Sequence, residues 1–157
     1  MRIIVISDTH GNHSHLESII SKEKEADYFI HLGDGESEAS SYIDELQGKF
    51  IFVRGNNDYS SGFPIEGELI AADKRLFFTH GHHYQVKYGL ELLTAKAKAN
   101  RADILLFGHT HQAFKDYQDG LYILNPGSAG HYSQGAPSYG VVEITKAGLV
   151  LTIIRLK

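Results

Sequence analysis

Five short segments of this chain end in metal-binding side chains, and four of them follow an apolar run that reads as a buried strand. The segments are Asp8-Thr9-His10, Gly33-Asp34, Gly55-Asn56-Asn57-Asp58, His80-Gly81-His82 and Gly108-His109-Thr110-His111. A fold built on this pattern must carry all five to one rim.

The runs at residues 2–7, 27–32 and 49–53 are short, apolar and rich in β-branched or aromatic side chains, as expected of strands buried on both faces. Between them, His13 to Lys24 and Glu36 to Leu46 carry apolar residues at helical spacing: Leu16, Ile19 and Ile20, then Ala39, Tyr42, Ile43 and Leu46. These predict helices crossing between parallel strands. The pattern continues with strands at 68–72, 74–79 and 103–107, a helix over 86–99, and two closing hairpins, 113–117 with 121–124 and 139–145 with 149–156. Asp119-Gly120 and Ala147-Gly148 stand where tight turns need a permissive backbone. The order β-α-β-α-β followed by mostly β predicts an α/β fold of two packed sheets with helices outside.

A length of 157 residues fits a single domain over 1–157, and a hydrophobic share of 42% is enough for a substantial core. With no cysteine, a metal must be held by oxygen and imidazole nitrogen, which excludes zinc of the finger type. The N-terminal apolar run is too short for a signal sequence or a membrane span, so the expected location is cytoplasmic, with no membrane partner. A net charge of -4, with scattered Lys and Arg, gives no reason to expect nucleic acid except as a substrate held at the metal site.

Ligands of open parallel sheets bind beyond the carboxyl ends of the strands, where Asp8, Asp34, Asn56 and His109 lie. Asp8 with His10, and His109 with His111, are i, i+2 pairs that an extended chain projects to one side. The inventory of Asp8, His10, Asp34, Asn56, His80, His109 and His111 is too large for one tetrahedral ion. Two divalent ions sharing a carboxylate fit better. The mixed oxygen and imidazole donors suit Mn²⁺, Fe, Co²⁺, Ni²⁺ and Zn²⁺ alike; Mn²⁺ is the ion expected for the whole protein. Such a pair, roughly 3.5–4 Å apart, clamps a phosphoryl group and activates a water, and leaves a formally positive pocket for a phosphate ester.

Taken in order, Asp-x-His, Gly-Asp, Gly-Asn-x-Asp, His-Gly and Gly-His-x-His resemble the pattern of the calcineurin-like metallophosphoesterase superfamily, nearest to its small YfcE-type members. The resemblance spans nearly the whole chain. It implies a four-layer α/β/β/α sandwich with two mixed sheets, and a phosphodiesterase or phosphomonoesterase, the former favoured, acting on a small organic phosphate ester by attack of a metal-bridging hydroxide. It further implies that Asp8, His10 and His111 hold one ion, that Asn56, His80 and His109 hold the second, and that Asp34 bridges them. Many relatives carry a histidine where this chain has Asn57, and an amide can donate a hydrogen bond to a phosphoryl oxygen but cannot act as a general acid. Asp58 is then expected to support a ligand or Asn57, and His82 is the candidate for the missing acid.

The remaining features have plainer readings. His31 is expected in the core, hydrogen-bonded, while His13 and His15 face solvent or cap a helix. Asn125-Pro126-Gly127-Ser128 is a turn that could line the pocket, and Gly130 to Tyr139 reads as a mobile loop beside the substrate. Exposed aromatics such as Phe63 or Phe114 would mark a homodimer face. Two other classes compete: an interaction scaffold of the same fold, as in a eukaryotic retromer subunit, and a nuclease.

Overall fold

Strand β1 (Arg2–Ile6) shows how the sequence builds layers: Ile3 and Val5 point into one core, Ile4 and Ile6 into another, and all four are fully buried. Side chains alternate across a strand, so a continuous apolar run requires cover on both faces. In the computed structural model, which describes residues 1–59, 61–130 and 135–157, that cover is a second sheet on one side and helices on the other.

The chain continues through α1 (His13–Lys22), β2 (Tyr28–His31), α2 (Glu36–Glu45) and β3 (Phe50–Phe52). Then come β4 (Glu66–Ala71), β5 (Lys74–Thr79), a short 3-10 turn at His82–Tyr84, α3 (Glu91–Ala99) and β6 (Ile104–Phe107). Strands β7 (Ala113–Gln118), β8 (Leu121–Pro126), β9 (Ser138–Thr145) and β10 (Gly148–Arg155) complete it. One sheet has the order β10-β9-β1-β2-β3 and the other β4-β5-β6-β8-β7. Both are mixed, with β1, β2 and β3 parallel in the first and β5, β6 and β8 parallel in the second.

Ile3, Val5, Ile30 and Leu32 meet Leu76, Phe78, Leu106 and Leu124 between the sheets. Leu16 and Ile19 of α1 and Ala39 of α2 cover the outer face of the first sheet, and Leu93 and Ala97 of α3 cover that of the second. The result is the four-layer α/β/β/α sandwich. Among the described residues no helix is long and apolar enough to cross a membrane.

Three expectations change. The helix predicted over 86–99 begins only at Glu91: Gln85 adopts a left-handed conformation after the 3-10 turn, and Leu90 precedes the first helical turn. Phe63 is half-buried, edge-on to Phe52 with ring centroids 5.1 Å apart, so it marks no free aromatic face. Of the predicted loop at 130–139, residues 131–134 lie outside the described residues, while Ser138 and Tyr139 are buried in β9.

Candidate metal centre

All five motif segments leave the carboxyl ends of parallel strands: Asp8 after β1, Asp34 after β2, Asn56 after β3, His80 after β5, and His109 and His111 after β6. The strands do not stay extended there. Asp8 (φ 55°), His10 (φ 45°), Asp34 (φ 58°), His109 (φ 66°) and His111 (φ 59°) all adopt left-handed backbone, which is uncommon for residues bearing a Cβ. Left-handed turns, rather than the expected extended i, i+2 geometry, therefore set these side chains: His10 meets Asp8 at 3.6 Å, while His109 turns to His80 and His111 to His10 and Asp8. Backbone bonds between loops stabilise them, with Asp8 N donating to Gly33 O (3.0 Å), His10 N to Asp34 O (3.1 Å) and Gly108 N to His80 O (3.1 Å).

Asp8 is fully buried, and its Oδ1 makes no hydrogen bond among the described residues. Nε2 atoms of His111, His10 and His80 nevertheless stand 3.1, 3.6 and 3.9 Å from it. Asp34 Oδ2 lies between His80 Nε2 (3.5 Å) and His10 Nε2 (3.8 Å). His80 Nδ1 is 2.8 Å from the Leu32 carbonyl, which can only accept, so the ring proton is assigned to Nδ1 and Nε2 presents a lone pair. That lone pair faces Asn56 Oδ1 and His109 Nδ1, each at 3.1 Å.

Electron-pair donors crowded this closely, with too few protons to bond one another, are what a cation site requires. Metal bonds of about 2.0–2.1 Å place neighbouring donors about 3.0–3.4 Å apart, close to the spacings seen. Two groups of residues could hold an ion, Asp8-His10-His111 and Asp8-Asp34-His80. The donor chemistry thus fits divalent ions, and Asp8 belongs to both groups while Asp34 belongs to the second.

Burial would push the Asp8 carboxyl up, but the His10 and His111 rings, His80 and the Ser7 hydroxyl together hold it well below the usual carboxylate range. His10 is raised, chiefly by Asp8. His109 is pushed down to about 4, first by burial and then by His80. A neutral imidazole is the form that coordinates a metal.

Three supports hold the loops. Asp58 accepts four backbone N–H groups, from Gly55 (2.7 Å), Asp34 (2.8 Å), Glu36 (3.0 Å) and Gly35 (3.1 Å). It therefore caps α2 from another loop, as the start of a helix leaves N–H groups without partners. His31, buried as expected, accepts from Gly33 N through Nδ1 (3.1 Å), so Nε2 carries the proton and donates to Thr9 Oγ1 (3.2 Å). Thr9 in turn bonds Glu38, which also accepts from Gly11 N at 2.6 Å. Asn125-Pro126-Gly127-Ser128 is a buried brace: Asn125 Nδ2 donates to Gly108 O (3.0 Å) and Ser128 Oγ to Asp8 O (2.8 Å).

Asn57 and His82 are the residues expected to act on substrate, and Asp58 the one expected to support a ligand or Asn57. Asn57 donates to Asp34 through both its backbone N (2.8 Å) and Nδ2 (2.6 Å), leaving one amide proton uncommitted among the described residues. Asp58 faces the backbone just described. His82 lies edge-on to His80 with ring centroids 5.3 Å apart and is pushed down to about 4, mainly by burial and then by His80, so near neutral pH its ring is a base and not an acid. His80, not His82, meets the carboxylates. His13 is exposed, but His15 is half-buried and its Nδ1 donates to the Ala129 carbonyl at 2.6 Å; the cap of α1 is Asn12.

Two cavities open off the centre. One of about 620 Å³ is lined by His10, Asp34, Asn57 and the start of α2, and one of about 420 Å³ by His109, His111, Lys87 and Gln112. Sequence reasoning missed Glu38 and Lys87, which lie outside the motifs. It also missed Arg54, half-buried and near enough to His82 to help depress it, although its place before Gly55-Asn56 was a signal.

The family model of the calcineurin-like phosphoesterase superfamily domain matches residues 1–147. The chain is 35% identical over 129 residues to the probable metallophosphoesterase YsnB of Bacillus subtilis, covering 82% of this chain and 75% of YsnB. It is 29% identical to phosphodiesterase YfcE of Escherichia coli, covering 99% of this chain and 92% of YfcE. The crystal structure of a conserved Streptococcus pneumoniae protein, described as a predicted phosphoesterase, superposes with a TM-score of 0.86 at 27% identity, covering 98% of this chain and 88% of that one. Motif order, donor geometry and whole-chain similarity agree: this chain belongs to the calcineurin-like phosphoesterase superfamily.

Proposed function

We propose that this protein is a metal-dependent phosphodiesterase for small organic phosphate esters, working as one domain over 1–157 with two divalent ions, Mn²⁺ favoured. The observation that carries the reading is the buried Asp8 Oδ1, which has no hydrogen bond among the described residues yet stands among the imidazole nitrogens of His10, His80 and His111. In this reading Asp8, His10 and His111 hold one ion, Asn56, His80 and His109 the other, and Asp34 lies between. When bound, the ions supply Lewis acidity toward phosphoryl oxygens and a water activated near neutral pH.

The chain's own residues do the rest. The uncommitted amide proton of Asn57 is available to a phosphoryl oxygen, and the Asn57–Asp34 bonds fix where that amide sits. Asp58 and the His31–Thr9–Glu38 chain hold the loops bearing Asp34 and His10 in register. The phosphodiesterase name of YfcE supports a diester over a monoester.

The test is hydrolysis of bis(p-nitrophenyl) phosphate and p-nitrophenyl phosphate by metal-stripped protein, before and after Mn²⁺, alongside Asp34→Asn. Metal-dependent turnover favouring the diester and lost in Asp34→Asn is expected. Full turnover in Asp34→Asn would overturn the role given to Asp34, and tight metal binding without turnover of either ester would favour a scaffold.

A further inference from the structure

We propose that the preferred substrates are phosphodiesters with one alkylammonium arm, selected by Glu36 and Tyr59; the proposal rests on the phosphodiesterase reading of the same site. The centre, where the fully buried Asp8 Oδ1 makes no hydrogen bond among the described residues, opens on two recesses. One is reached past His10 and Asp34 and the other past His109 and His111, which suits the two alcohol arms of a diester, whereas a monoester needs only one.

The recesses differ in charge. The charged lining of the larger one consists of the carboxylates Asp34, Glu36, Glu38 and Asp58 with His10, and includes no Lys or Arg, while the smaller contains Lys87. Three of those carboxylates are already engaged: Asp34 by Asn57, Glu38 by Gly11, and Asp58 by four backbone N–H groups. Glu36 is half-buried, and its carboxylate has no hydrogen-bond or ion-pair partner among the described residues. Tyr59 lines the same recess; its side chain is 83% exposed and its hydroxyl lies 3.3 Å from Asn57 Oδ1.

A carboxylate free to pair and an open aromatic face together suit a cation with an apolar surface, which an alkylammonium group is. The same wall repels arms that carry further phosphates or carboxylates. The second, polar alcohol then lies toward Lys87, Thr110 and Gln112.

The test compares two esters with the same leaving group, p-nitrophenyl phosphorylcholine and its uncharged isostere 3,3-dimethylbutyl p-nitrophenyl phosphate, on the Mn²⁺-loaded full chain. The choline ester should have a kcat/KM about tenfold higher, carried by KM, as expected for one half-exposed ion pair plus one cation–π contact. In Glu36→Gln the ratio should fall toward one, and in Tyr59→Ala it should fall severalfold. A second readout needs no turnover: metal-free wild-type protein should broaden the N-methyl resonance of choline more than Glu36→Gln does. Turnover of both esters without preference, or a preference that survives Glu36→Gln, would overturn the charged-arm assignment alone. No turnover of either ester would overturn the phosphodiesterase reading, and equal choline broadening by both proteins would overturn the role of Glu36.

Discussion

The carboxylate of Asp58 accepts the backbone N–H of Asp34 at 2.8 Å, tying the loop after β3 to the loop after β2. With three further N–H groups on the same carboxylate, Asp58 fixes the position of Asp34 from behind. Asp58→Ala strands these donors and should cost about 2–4 kcal/mol of stability in urea denaturation. Metal affinity should fall about 10–100-fold, read by calorimetry. A variant with wild-type stability and affinity would show that the loops hold themselves.

Gly33 joins the same two loops by contact. It sits at φ +100°, and a Cβ there would meet the Gly55 backbone, with Gly55 Cα at 2.8 Å. Gly48, at φ +76°, has nothing within 4 Å of its would-be Cβ. Gly33→Ala should therefore cost about 2–4 kcal/mol, while Gly48→Ala, which meets only backbone strain, should cost about 1 kcal/mol. Equal losses would mean that the approach of the loops is not tight.

The pH dependence of stability should carry the mark of His31. Burial pushes this imidazole down to about 4, so the unfolded chain takes up a proton near pH 6.5 and the folded chain only well below. Between those values the unfolded state binds more protons, so stability is complete above pH 6.5 and is lost as pH falls toward 4, by on the order of 3 kcal/mol. His31→Phe, which keeps a ring against Phe52, should be less stable near neutral pH but lack this share of the acid loss. Parallel pH profiles for the two proteins would contradict the assignment.

Much of this fold was legible because its strands are short apolar runs and its hairpins carry Asp119-Gly120 and Gly148, where the backbone needs positive φ. The rim of ligands followed from strand order. What stayed hidden depends on contacts between residues far apart in sequence. The α3 start depends on the backbone after His82–Tyr84, not on apolar spacing. The left-handed turns at Asp8, His10 and His109 come from inter-loop hydrogen bonds. No local pattern announces that Asp58 gathers four N–H groups, or that Glu38, on α2, stabilises the loop carrying His10 through Gly11 and Thr9.

Metal binding should also appear as stability, because the unfolded chain has no preformed site. At a free ion concentration about 100 times Kd, the midpoint of thermal unfolding should rise by about 5–10 °C. Asp8→Asn should remove most of that rise. A midpoint indifferent to Mn²⁺ and Zn²⁺ would mean that the donor cluster is not a metal site.

The most direct test is a calorimetric titration of metal-stripped protein with Mn²⁺, with bis(p-nitrophenyl) phosphate hydrolysis measured at each point. Binding that saturates at two equivalents per chain, with turnover rising to its plateau over the same range, is the predicted result. Full turnover without added metal, or a plateau at one equivalent, would contradict the two-ion phosphodiesterase.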